Sequence, residues 1–175
     1  SALSCYVPNG RAGEMDEPSR AVVRSMLGDA AANLASMRRD QGMWWAGGLV
    51  VCANQRAANN VRAWLDAEHG PAAIVHSDDP ESMRHLEDFK RGSLPWLVSV
   101  DMVSEGVDIS RLKVLVSIGT KQTRLRIIQE IGRVIRRHRD KQGRPYPGPQ
   151  TAHVYALNVP AWRYIATKFE DDVRA

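Results

Sequence analysis

The sequence predicts an α/β fold, a three-layer domain with a mostly parallel central sheet and helices on both faces. Two observations carry this. Short runs rich in Val, Leu and Ile alternate with longer segments of helical periodicity, the pattern of successive βαβ units. The run at 48–53 is apolar along nearly its whole length, which suits a strand covered on both faces better than one with a wet side. A third observation bounds the size: 175 residues make one domain of ordinary dimensions with its own core.

Each element follows in order. Residues 1–17 contain Pro8, Gly10 and Gly13 with little periodicity and read as a loop or tail. From 18 to 40 the pattern turns helical. Pro18 suits a first turn, Val22, Val23, Met26, Ala30, Leu34 and Met37 recur at near-helical spacing, and Gly42 ends the run. Residues 1–43 are therefore a tail and a linker helix. The strand at 48–53 comes next, then a helix over 55–69 (Ala57, Val61, Trp64, Leu65) stopped by Gly70 and Pro71. Residues 72–75 are a short strand. Asp79 and Pro80 open a helix with Met83, Leu86 and Phe89 on one face, stopped by Gly92. Strands at 96–100 and 114–118 precede a helix over 125–137. Residues 139–150, with two Gly and three Pro, form a loop, and 152–157 is the fifth strand. The domain spans 44–159, and 160–175 is a closing helix.

Composition excludes several classes. Apolar residues make up 43% and charged residues 25%, which fits neither a disordered chain nor a membrane protein. No apolar run approaches the ~20 residues of a spanning helix, so no membrane partner is expected. The N-terminus lacks the pattern of a secretory signal. Cys5 and Cys52 are the only cysteines, so a disulfide framework or structural zinc site is not expected and a reducing cytoplasm is the natural setting. The net charge is only +4, yet nine Lys and Arg fall between Lys121 and Arg144 against Glu130 and Asp140. The segment is either a solvated basic face or a site for a polyanion. Trp44 and Trp45 are read as packing residues before base-stacking ones. No metal is expected at His76, Asp78 and Asp79.

Two motifs carry chemistry. At ~100° per residue, Gln129, Arg133 and Arg136 fall within ~60° of one another, while Ile127, Ile128, Ile131, Val134 and Ile135 take the opposite side. Gly132 lies beside the polar row and admits a close approach. Guanidinium donors match phosphate oxygens, and two of them on a rigid helix can stabilise charge on a transferred phosphoryl group. An amphipathic helix with a solvated basic face gives the same pattern. The second motif is 104–109, with Ser104, Glu105, Gly106 and Asp108. Asp108 suits a ribose hydroxyl, or a plain capped turn.

Taken together, in this order and about 20 residues apart across a strand, the two motifs resemble motifs V and VI of the second motor domain of superfamily two helicases. The segment 48–54 looks like motif IV, and the likeness runs from about 47 to 137. The wording of 101–109 is closer to restriction-enzyme and excision-repair helicase subunits than to the DEAD-box RNA helicases, which favours DNA over RNA. The resemblance implies a RecA-like domain. It implies that Arg133 and Arg136 are arginine fingers, that Gln129 senses the γ-phosphate or attacking water, and that Glu105, Gly106 and Asp108 lie near the nucleotide. It places Asn54, Gln55, Arg56, His76, Ser99 and Ser104 along the nucleic-acid backbone. Val100 stands where many members carry Thr, which leaves Ser99 or Ser104 for that contact. No G-x-x-x-x-G-K-[ST] loop occurs. ATP with Mg2+ is thus expected on a first motor domain elsewhere, and the 175-residue piece is expected to be inactive alone. A binding module without motor activity, or a degenerate helicase scaffold, is the alternative.

Overall fold

The computed structural model describes residues 3–6, 20–100, 109–119, 124–134, 136–157 and 160–174. The elements run β1 (Leu3–Tyr6), α1 (Arg20–Asp40), β2 (Gly47–Cys52), α2 (Gln55–Glu68), β3 (Ala72–Val75), α3 (Ser82–Arg91), β4 (Trp96–Val100), β5 (Leu112–Ser117), α4 (Arg124–Val134), β6 (Ala152–Ala156) and α5 (Pro160–Arg174). Six strands form one sheet in the order β1-β6-β5-β2-β4-β3, and every neighbouring pair is parallel. Parallel neighbours need crossovers, and the long intervening segments supply them.

The expected architecture is the observed one, with one strand added. Residues 3–6 are not tail: they pair with β6 from Leu3↔Ala152 to Tyr6↔Tyr155. Their four-residue sequence has no period of its own. The strand exists because β6 offers an open edge of backbone donors and acceptors. A second difference concerns α4, which ends at Val134, short of the expected 137.

Strand alternation splits the interior into two cores. On one side, Val50 of β2, Val98 of β4, and Val114 and Val116 of β5 meet Met26 and Leu34 of α1 and Ala58 and Leu65 of α2. On the other, Leu49, Val51, Leu97 and Leu115 meet Phe89 of α3, Ile127 and Ile131 of α4, and Trp162 of α5. At the N-terminal ends of the strands, buried Arg111 binds three carbonyls: Nε to Trp45 at 2.9 Å, and the terminal nitrogens to Phe89 at 2.9 Å and Leu94 at 2.6 Å. Burial, with Arg38 adding to it, lowers its pKa to about 10. Its guanidinium also sits 4.2 Å over the Phe89 ring. One side chain thus ties together the lead-ins to β2, β4 and β5. Among the described residues, no helix is long and apolar enough to cross a membrane.

Candidate functional site

The helix α4 is anchored by Ile127, Ile131 and Val134, all buried. Their i, i+4, i+7 spacing makes one apolar stripe. Gln129, Gly132 and Arg133 lie away from that stripe and are half-buried. Among the described residues, a Cβ built on Gly132 would meet nothing within 4 Å, which leaves room beside the helix there. Two details differ from expectation. Ile128 is 53% exposed, because its 100° offset from Ile127 carries it off the stripe. Arg136 is not on the helix: it follows the end of α4, in an exposed bend. Glu130, unremarked in the sequence, is buried.

The residues expected to complete the nucleotide side, Glu105, Gly106 and Asp108, lie outside the described residues, as does Ser104, expected on the nucleic-acid side. The exit of their segment does not. Ile109 is buried, and the carbonyl of Ser110 accepts a hydrogen bond from Lys113 Nζ at 3.0 Å. The same Nζ donates to the carbonyl of Arg136. The exits of the two motif segments therefore meet at one amine.

The residues expected on the nucleic-acid side cluster at the C-terminal ends of β2 and β3. Asn54 caps α2, its side chain accepting from the Ala57 amide at 2.8 Å. Gln55 Nε2 donates to Asp78 at 2.7 Å, linking the two strand ends. Arg56 is exposed. His76 is half-buried at the end of β3, and its Nδ1 is buried with no hydrogen-bond partner among the described residues. Ser99 departs from expectation. It is 1% exposed, sealed in β4 by the layers packed on the sheet, so a phosphate cannot reach its hydroxyl. Among the described residues, no group of three His, Cys, Asp or Glu side chains gathers in a metal-binding arrangement.

Sequence reasoning missed a second cluster beside the end of α4. Trp45 is buried and packs as expected, whereas Trp44 is 57% exposed. The Trp45 ring lies 4.5 Å from His138 and 5.4 Å from Tyr146, and His138 stacks on Tyr146 at 5.3 Å with 8° between planes. His138 Nδ1 is 2.8 Å from Ser110 Oγ. The signal in the sequence was Lys113, a charge directly before the run read as a strand at 114–118.

Comparison with known proteins gives one family and, among others, two relatives and one solved structure. The family described as the helicase conserved C-terminal domain matches residues 46–138, a little over half of the chain. An uncharacterised protein of Mycobacterium leprae (strain TN) is 35% identical over 128 residues, which are 71% of this chain and 20% of that protein. The DEAD-box ATP-dependent RNA helicase 52A of Oryza sativa subsp. japonica is 29% identical over 87 residues, 49% of this chain and 14% of the rice protein. Among solved structures, S. cerevisiae Dbp5 bound to RNA and ADP BeF3 superposes with a TM-score of 0.64 at 17% identity, over 97% of this chain and 39% of that one. This last likeness is one of fold. The chain spans about a fifth of the length of its first curated relatives.

Proposed function

We propose that this chain, which belongs to the helicase conserved C-terminal domain family, is the second motor domain of an ATP-dependent nucleic-acid helicase or translocase. In this reading, ATP with Mg2+ binds on another motor domain. Arg133 and Arg136 reach it on closure and stabilise the charge that builds on the γ-phosphoryl oxygens, while Gln129 orients the attacking water. Glu105, Gly106 and Asp108 border the nucleotide. Opening and closing of the cleft then moves the protein along a strand. The observation that carries the reading is the geometry of α4, where Gln129 and Arg133 stand off the buried stripe beside the room left at Gly132.

Asn54, Gln55, Arg56 and His76 form the part of the track on this chain, with Ser104 from the segment before β5. The sequence favours DNA. The rice relative, however, is named an RNA helicase, which favours RNA as the strand. The test is ATP hydrolysis by the protein that carries this chain together with its ATP-binding domain, with single-stranded RNA and DNA compared as stimulators. Stimulation by RNA supports the reading, and turnover by the isolated chain overturns it. Exposed Arg136, Arg137, Arg139, Lys141 and Arg144 favour a second reading, a binding module without motor activity. That reading requires a steep salt dependence of binding and normal ATP turnover after Arg133→Ala.

A further inference from the structure

Lys113 lies in β5 and is 0% exposed. A charged amine in such a place is costly unless its protons are accepted. Here they are directed at two carbonyls, Ser110 at 3.0 Å and Arg136. Ser110 follows the 104–109 segment, and Arg136 follows α4. The same two strands of chain are tied a second time. Ser110 Oγ lies 2.8 Å from His138 Nδ1, and the His138 backbone is held by Gln150, whose Oε1 accepts from its amide at 2.6 Å and whose Nε2 donates to its carbonyl at 3.0 Å. Trp45 and Tyr146 pack against the imidazole. The clamp is therefore rigid at both ends, and it spans the two segments assigned to the nucleotide.

We infer that Lys113 and His138 are positioning residues for the nucleotide site. They fix Ser110, which follows the 104–109 segment, against Arg136 and His138, which follow α4, so that Arg136 is presented in a set position. Supporting residues of this kind act on turnover, because a small misplacement of a charge-stabilising group is felt mainly in the transition state. The inference rests on the reading of Arg133 and Arg136 as phosphate-directed.

The test uses the protein that carries this chain with its ATP-binding domain, and steady-state ATP hydrolysis as readout. Lys113→Met is expected to lower kcat about tenfold while KM for ATP stays within about twofold. His138→Phe keeps a ring in the stack but removes the bond to Ser110, and it should give the same pattern if Lys113→Met fails to fold. In an Arg136→Ala background, Lys113→Met should cost less than about twofold, because the group it positions is gone. A merely structural role would cost the same factor in both backgrounds, and that result overturns the inference, as does an unchanged kcat in both single variants. If Arg133→Ala and Arg136→Ala each leave kcat unchanged, the reading of the site itself fails and takes the inference with it.

Discussion

In β2, Gly48 lies in register with Trp96 of β4, and a Cβ built there would come within 2.3 Å of the buried indole. The ring is rigid and enclosed, so it has nowhere to move. Gly48→Ala is expected to cost about 1–3 kcal/mol by overpacking, read as a lower denaturant midpoint. His138 makes a second prediction. Burial lowers its pKa below the usual 6.5, with Lys113 and Arg111 adding to the effect, and burial does the same to His153. Below 6.5 the unfolded chain takes up protons that the folded chain refuses. Stability should therefore fall as pH drops below 6.5, level off once the folded imidazoles protonate, and owe nothing to these groups above about pH 7. Denaturant midpoints between pH 7.5 and 5.5 check this, and His138→Phe should flatten the slope. At this scale, Gln129 and Arg133 were legible because a helix period alone places them. Lys113 and His138 were not, because their roles depend on partners such as Ser110, 28 residues from His138.

The helix α2 begins where Asn54 leaves β2, and that residue has two candidate duties. As a cap, Asn54→Ala should cost about 1 kcal/mol. As part of the track, it should also weaken binding of single-stranded RNA. Loss of stability with unchanged RNA affinity would leave Asn54 a cap only. Ser99 is a simpler case: its burial within β4 removes it from any track. Spacing put it near the end of a strand, but spacing alone cannot say whether the layers packed on the sheet cover a hydroxyl. The same limit hid β1. Its four residues carry no pattern, and only the open edge of β6 makes them a strand. By contrast, β2, β4 and β5 were legible because strands buried on both faces must be apolar throughout. The end of α4 was misplaced because the apolar pattern of the sequence runs on past Val134, while Arg136 lies in a bend.

At the scale of the whole molecule, the parallel sheet brings Asn54, Gln55, Arg56 and His76 to one end of the strands, and α4 carries Gln129 and Arg133 along one face. The sequence holds no G-x-x-x-x-G-K-[ST] loop to cradle β- and γ-phosphates. The isolated chain is therefore expected to show no ATP turnover above background, measured by phosphate release. In the proposed function, this chain supplies the charge that completes an ATPase site held elsewhere. Arg133→Ala in the protein that carries the ATP-binding domain shows whether it does, with ATP affinity and single-turnover hydrolysis measured side by side. Hydrolysis is expected to slow by about 10³-fold or more, with ATP affinity changed by less than about threefold. Hydrolysis at the unaltered rate would contradict it.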